Sequence, residues 1–357
     1  MNTTRTTRTT GLALAAGLAL SQAPLQAQAQ SLTLYGAIGL DVVSASNVYD
    51  GTRSGSVVKV EDNAIVNSRF GLKGSEDLGG GLKALFNLES SIAPDTGGAR
   101  STFWNRGAWL GLSGSMGTIK LGQQWNVADD YLCGYFVCGY YAPFLMSGFY
   151  ALSDYYSNAI KYTSPNMGGF EGALYHSVGE RAGDSSAGSK SQAALNYSAG
   201  AFGLGLATFS EKDPKGGPSN TMHAVGASYD LGAAKLRAGL AYAEVKYSYN
   251  GTTDTSDYSS GFKARLLDLG VDVPISAKLS TSLDYVKKDV KDSDNDTWFV
   301  RARASYALSK RTALNFNLIR SSNDGTADFA FVTQGRGFSG EAGQSQTLVT
   351  AGITHAF

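Results

Sequence analysis

The side chains best suited to chemistry in this sequence are charged residues at alternate positions of apolar segments. Arg69 and Lys73 share one side of such a segment, and Arg106 and Lys120 lie in two later ones. Basic and acidic side chains that face each other across a narrow gap create a transverse field, which orders water and polar solutes. These residues therefore predict electrostatic selection of solutes rather than bond-making chemistry.

Signals of an enzyme are weak. His176, His223 and His355 are the only histidines, and none has a recognisable nucleophile context around it. The glycine-rich stretch at residues 79–83 falls in a predicted turn and not ahead of a helix, so turn chemistry explains it. We therefore expect no catalytic activity and no cofactor.

The two cysteines, Cys133 and Cys138, lie five residues apart. Disulfides persist in exported proteins, and a local disulfide in a loop is the preferred interpretation. A metal site is the alternative, but no histidine lies nearby in the sequence, so we predict no metal. Redox catalysis is a third alternative, and it would favour a two-residue spacer.

The first 29 residues have the features of a secretory signal peptide. Arg5 and Arg8 give a basic start, the run from Gly11 to Leu20 is apolar, and small residues end at Ala29. The apolar run is about ten residues long, whereas a membrane-spanning helix needs ~20. We predict removal of residues 1–29 and a mature domain of residues 30–357.

The mature chain alternates apolar and polar residues with a period of two. Leu32, Leu34, Ile38, Leu40 and Val42 lie on one side of the first such segment. The pattern recurs to the C-terminus, and short turns alternate with longer polar loops, which include Ser44 to Asn63 and the longest, residues 127–157. We count about sixteen strands in this way.

These strands predict an all-β fold, a transmembrane antiparallel β-barrel of 16 strands. A soluble sandwich would show the same alternation in any one strand, but long strands on an exported chain favour the membrane barrel. In lipid, every backbone polar group needs a partner, so such a sheet must close. An interfacial girdle, a ring of aromatic residues at the membrane–water interface, is typical of such barrels. Four tryptophans lie within or beside strands as such a girdle would: Trp104, Trp109, Trp125 and Trp298. The formal net charge is zero, which gives no reason to expect nucleic-acid binding.

Several segments, taken in order, resemble the general porins of β-proteobacteria. They are SLTLYGAIGLDVV near the start, NSRFGLKGSEDLGGGLKALFNLES, FWNRGAWLGLSGSMGTIKLGQQWN, NAIKYTSPNMGGFEG, and AGITHAF at the end. The resemblance implies a homotrimer in the outer membrane of a Gram-negative cell, in contact with lipid. It also implies passive diffusion of small hydrophilic solutes and ions through a water-filled channel, with the loop at residues 127–157 folded inward as a constriction.

The resemblance also assigns pore-lining residues. Arg69 and Arg106 match basic positions on the barrel wall of the family. Alternation along the strands independently predicts that both side chains point to the face opposite the one that contacts lipid. Acidic candidates on the inward loop are Asp129, Asp130 and Asp154, for which a solvated loop is the plain alternative. Lys73 and Lys120 are further lumen candidates, although most barrel charges merely hydrate the wall.

Two departures from the family pattern leave other functions open. Tyr155 stands where relatives often carry an arginine, and the acidic turn of the inward loop is absent. The loop is instead rich in aromatic residues, which are Tyr140, Tyr141, Phe144, Phe149, Tyr150, Tyr155 and Tyr156. These rings would pack against the wall or stack on solutes of a solute-specific channel. A surface binding or adhesion barrel is the third possibility.

Overall fold

Alternating exposure along each strand divides the protein into an outer apolar face and an inner face. In the first strand, Leu32 and Leu34 are 64% and 62% exposed, whereas Asp41 and Val43 are buried. The computed structural model describes residues 31–99, 102–138, 155–217, 219–246, 248–249, 256–257, 261–327, 331–333, 336–338 and 340–357. The predicted signal peptide, residues 1–29, lies outside these ranges and stays a prediction.

The described residues form strands and one short helix. The strands are β1 (Ser31–Tyr49), β2 (Ser54–Asp62), β3 (Arg69–Gly79), β4 (Leu82–Ala93), β5 (Gly98–Ala99), β6 (Gly107–Gly114), β7 (Gly117–Trp125), β8 (Tyr155–Thr163), β9 (Phe170–Ser177), β10 (Lys190–Ala199), β11 (Phe202–Lys212), β12 (Ser219–Asp230), β13 (Lys235–Val245), β14 (Ser248–Tyr249), β15 (Ser256–Asp257), β16 (Phe262–Pro274), β17 (Leu279–Val290), β18 (Thr297–Ala307), β19 (Thr312–Asn323), β20 (Phe331–Thr333), β21 (Arg336–Phe338) and β22 (Gln346–Ala356). The helix is α1 (Val127–Leu132). Within the described ranges, no helix is long and apolar enough to cross a membrane.

The strands close into a barrel because β1 pairs on both edges. One edge pairs with β22, and the other pairs with β3 along its first part and with β2 along its second part. Counting β2 and β3 as one wall position gives a closed barrel of 16 antiparallel strands. The strand count predicted from the sequence is therefore confirmed.

Two details predicted from the sequence are wrong. The stretch from Ser44 to Asn63 is mostly strand, since β1 continues to Tyr49 and β2 starts at Ser54. Two tryptophans do not belong to an interfacial girdle: the Trp109 ring lies 4.4 Å from Nζ of Lys120, and the Trp125 ring lies 5.9 Å from Cζ of Arg106. Alternation with the exposed Leu110 and Leu121 directs Trp109 and Lys120 to the inner side of the wall, where the ammonium can lie over the ring.

The main apolar core lies between the wall and the segment from Val127 to Cys138. Phe209, Met222 and Phe299 are each at most 1% exposed, and they join Leu132 of α1 in one buried cluster. A wall that carried water alone on its inner face would have no reason to place such residues there. This packing holds the described part of the predicted constriction loop against the barrel.

Candidate functional site

The short helix α1 begins after Asn126, whose side chain caps the helix and bonds to both the backbone and the side chain of Asp129. The side-chain Oδ1 of Asn126 accepts the N–H of Asp129 at 2.8 Å, and Nδ2 of Asn126 donates to Oδ2 of Asp129 at 2.7 Å. Asp129 is only 2% exposed, so the structure places its carboxylate in the first turn of the helix. The N–H of Val127 donates to Oε1 of Gln192 on β10 at 2.9 Å, which ties the same turn to the wall.

Two tyrosines join the next part of the segment to the wall. The hydroxyl of Tyr131 donates to Oε1 of Glu171 at 2.9 Å, and the hydroxyl of Tyr135 donates to Oδ1 of Asn196. Burial raises the pKa of the Tyr131 phenol above its ordinary value, and the Glu171 carboxylate raises it further. Burial also raises the pKa of Tyr135. Both phenols therefore stay protonated and remain donors at neutral pH.

Glycines on the inner wall allow the segment to approach closely. A Cβ added at Gly226 of β12 would lie 2.5 Å from Cβ of Tyr135, and one added at Gly239 of β13 would lie 2.5 Å from the Phe136 ring. A side chain at either position would force Tyr135 or Phe136 to shift, so glycine is favoured at both. The aromatic rings can then lie directly on the backbone of the wall.

The end of the segment is held by charged residues of the opposite wall. The N–H of Val137 donates to Oδ2 of Asp268 on β16 at 2.7 Å. The carbonyl of Cys138 accepts from Nη1 of Arg301 on β18 at 3.2 Å. A disulfide joins Cys133 to Cys138 and closes the turn between α1 and these contacts.

Asp284 lies at the centre of the charged cluster beneath that anchor. Its carboxylate is fully buried and accepts from Nη2 of Arg237 at 2.6 Å and from Nε of Arg301 at 2.9 Å. Asp272 accepts a further bond from Nε of Arg237 at 2.8 Å. A buried carboxylate between two guanidinium groups is stabilised by both, and each of them is compensated by it.

Arg69 and Arg106 come together around one acid, Glu89. Nε of Arg106 donates to Oε1 of Glu89 at 2.6 Å, while Nε of Arg69 lies 3.7 Å from Oε2. Tyr35 also donates to Oε2 of Glu89, at 2.7 Å. Both arginines line a cavity of about 400 Å³ that also borders the disulfide.

A second group of charges surrounds Asp130. Lys161 of β8 pairs with Asp130, and Lys120 of β7 lies directly opposite Lys161 in the strand register. The Lys120 ammonium lies over the Trp109 ring, 4.4 Å from its centroid. Asp130 is the acidic residue through which the segment contacts the basic side chains of the wall, and 41% of its side chain is exposed.

The remaining residues singled out in the sequence either surround these two groups or lie outside the described part of the chain. The Nζ of Lys73 lies 4.8 Å from the centroid of the Tyr35 ring, and its side chain is exposed. Asp154 lies outside the described residues, as do the aromatic residues predicted between positions 140 and 150. Tyr155 packs edge-on against Trp125 at 4.7 Å, and Tyr156 stacks on Phe209 at 6.2 Å.

Sequence reasoning missed the pairing partners in both groups. The alternation of Leu88 and Glu89 along β4 gave no sign that Glu89 would meet Arg69 of β3 and Arg106, the residue before β6. Lys161 was overlooked. The sequence signal that could have found it is its position between the apolar Ile160 and the aromatic Tyr162, which the structure places on the outer face. Both omissions concern contacts between residues that are distant in sequence.

Comparison with known proteins gives a consistent result. The sequence profile of a family described as Gram-negative porin matches residues 9–326. Outer membrane porin protein 32 of Delftia acidovorans is 31% identical, over 95% of this chain and 98% of that protein. An outer membrane porin protein of Bordetella pertussis is 26% identical, over 93% of this chain and 96% of that protein. The structure of an anion-selective porin from Comamonas acidovorans superposes with a TM-score of 0.77 and 28% identity, over 92% of this chain and 100% of that one.

Proposed function

Because the chain belongs to the Gram-negative porin family and forms a passive outer-membrane channel, not an enzyme, we propose that it prefers anions and selects them at a constriction between the wall and residues 127–157. The observation that carries the proposal is the excess of basic side chains beside the disulfide-closed segment. We use the term eyelet group for Arg69, Arg106, Lys120, Lys161, Glu89 and Asp130.

The contacts of the segment from Val127 to Cys138 support a constriction there. The segment bonds to β10 through Gln192 and to β18 through Arg301, so it extends across the inner side of several strands. It is also closed by a disulfide and packed on inner glycines, which fixes its position. A fixed obstacle inside a water-filled barrel reduces the cross-section available to solutes.

The charges of the eyelet group support a preference for anions. The group contains four basic and two acidic side chains, which leaves a net positive charge. In a narrow passage with low-dielectric walls, such an excess raises the local concentration of anions and lowers that of cations. The name of the similar Comamonas acidovorans structure describes that protein as anion-selective, which agrees with this proposal.

A homotrimer is the second part of the proposal, and it follows the family to which the chain belongs. Phe70, Phe103 and Trp104 form a cluster whose ring centroids lie 4.7–6.1 Å apart, and Phe103 is 55% exposed. Apolar patches of this kind favour contact with another copy of the chain. Unheated electrophoresis in SDS, compared with cross-linking in detergent, tests the oligomeric state.

Planar-bilayer recording of the purified mature protein tests the selectivity. Under a gradient of potassium chloride, the reversal potential should have the sign of a chloride-preferring channel, and openings should come in groups of three. The double variant Arg69→Gln/Arg106→Gln should lose part of that potential. Lys310→Gln removes one positive charge from an exposed turn and serves as a control for a charge outside the eyelet group. A cation-preferring wild type would contradict the proposal.

A further inference from the structure

The second wall position of the barrel is interrupted by extra residues. Strand β2 ends at Asp62, opposite Leu40 of β1, and β3 begins at Arg69, opposite Ala37. Only Ile38 and Gly39 of β1 lie between those two pairs, whereas six residues, 63–68, lie between them on the other side. A continuous strand cannot absorb this difference, so the additional residues leave the plane of the sheet.

We call residues 63–68 the inner shelf, because their contacts lie on the inner side of β1. Ile38 is exposed on the outer face, and the next residue, Gly39, points the opposite way. A Cβ added at Gly39 would lie 2.5 Å from Cβ of Asn63. Asp41, the next inward residue of β1, accepts a bond from the Ala64 N–H at 2.8 Å and another from the Asn63 amide.

Buried polar groups hold the inner shelf in one conformation. Oδ1 of Asn63 accepts the N–H groups of Ile65 and Val66 at 2.9 and 3.0 Å. Oδ1 of Asp62 accepts from the hydroxyl of Ser68 at 2.5 Å, and that hydroxyl oxygen accepts the Gly39 N–H at 2.9 Å. Asp62, Asn63 and Ser68 are each at most 1% exposed. Satisfied buried networks of this kind rigidify the backbone that they surround.

The half-buried residues of the inner shelf border the same cavity as the disulfide. Ile65, Val66 and Asn67 line the same cavity of about 400 Å³ as Cys133 and Cys138. Ile65 and Val66 therefore share this cavity with Arg69 and Arg106 and with the disulfide of the segment from Val127 to Cys138. They reduce the width of the cavity without contributing charge.

We propose that the inner shelf is a second constriction element, in which Ile65 and Val66 set the width of the passage and its size limit for solutes. The inference rests on the proposed function in one respect, since the inward segment forms the opposite side of the passage. Charge selection belongs to the eyelet group, and steric selection belongs to these two side chains. The two properties can therefore be measured separately.

The double variant Ile65→Ala/Val66→Ala tests the proposal. Single-channel conductance should rise, and larger neutral polyethylene glycols should enter the channel, because side-chain volume is removed from the wall of the passage. Ile65→Phe should change both quantities in the opposite direction. Val58→Ala/Val60→Ala is the matched control, since it trims two residues of β2 that are 69% and 55% exposed on the outer face.

The outcomes separate this inference from the proposed function. Unchanged conductance and unchanged polymer exclusion in both Ile65 variants would overturn the role of the inner shelf, whatever the ion preference is. A wild type without anion preference, combined with a wider pore in the alanine variant, would overturn the proposed charge selection and leave the inner shelf in place. Circular dichroism and resistance to SDS establish that each variant is folded before recording.

Discussion

Lys120 of β7 and Lys161 of β8 lie directly opposite each other in the register of the barrel wall. Like charges at paired positions of a sheet repel each other, which costs stability. Asp130 pairs with Lys161, and Lys120 rests on the face of Trp109. The arrangement therefore places two ammonium groups and one carboxylate where the segment from Val127 to Cys138 meets the wall.

Neutralising Lys120 should reduce the preference for anions. At a separation of ~8 Å in water, one charge shifts the energies of an anion and a cation by about 0.5 kcal/mol in opposite directions, and salt at ~0.1 M reduces each shift by about half. We therefore expect Lys120→Gln to lower the chloride-to-potassium permeability ratio roughly twofold. Reversal potentials in a salt gradient measure this ratio. Lys120→Arg retains the charge and should leave the ratio near that of the wild type. An equal fall in both variants would point to a steric cause.

Neutralising Glu89 should have the opposite effect. Glu89 is the acid shared by Arg69 and Arg106, so Glu89→Gln exposes more of their charge to passing ions. We expect the permeability ratio to rise roughly twofold by the same estimate. Asp292→Asn is the control, because it removes an acid from a loop where the side chain is 84% exposed. An unchanged ratio in Glu89→Gln would place the arginines away from the ion path.

Removing the charge of Asp284 should destabilise the barrel. This carboxylate is fully buried between Arg237 and Arg301, and its loss leaves both guanidinium groups without their shared partner. Breaking a buried ion pair in this way costs about 3–5 kcal/mol. Thermal unfolding of Asp284→Asn in detergent should show a lower midpoint, whereas Asp272→Asn, at a site 35% exposed, should show a smaller change. Equal midpoints in the two variants would contradict a central role for Asp284.

A methyl group at Gly226 should displace the segment from Val127 to Cys138. Alanine at this position would bring its Cβ within 2.5 Å of Cβ of Tyr135, which is close to the backbone and has little room to move. Overpacking of this kind costs about 1–3 kcal/mol, so Gly226→Ala should lower the unfolding midpoint and alter channel conductance. Gly55→Ala is the matched control, since nothing lies within 4 Å of a Cβ there. Similar behaviour of the two variants would show that the segment is not held by this contact.

Removal of the disulfide should loosen the segment locally. Cys133→Ser/Cys138→Ser opens a loop of about six residues, which corresponds to roughly 2 kcal/mol in the chain-entropy description. Hydrogen exchange at the amides of Tyr135, Phe136 and Val137 should accelerate, while exchange in the barrel strands stays as it was. The same measurement on reduced wild-type protein provides the comparison. Unchanged exchange would mean that the wall contacts alone hold the segment.

Much of the architecture could be predicted from the sequence because it depends on local periodicity. Alternation along β1 distinguishes the outward Leu32 and Leu34 from the inward Asp41 and Val43 without reference to other strands. The same rule placed Arg69 and Arg106 on the inner face. The assignment of Trp109 and Trp125 to an interfacial girdle was based on residue type and failed, because an aromatic ring is found both at a lipid interface and beneath a basic side chain.

The sequence by itself determined the class of fold and the number of strands, since these follow from the period of two and from backbone pairing in lipid. Only the tertiary structure decided which charges meet. Glu89 of β4 contacts Arg69 of β3 and Arg106, the residue before β6. The inner shelf at residues 63–68 lines a cavity together with a disulfide about seventy positions later. Such contacts depend on strand register and on the path of a long loop, which are set by packing between distant parts of the chain and leave no local pattern.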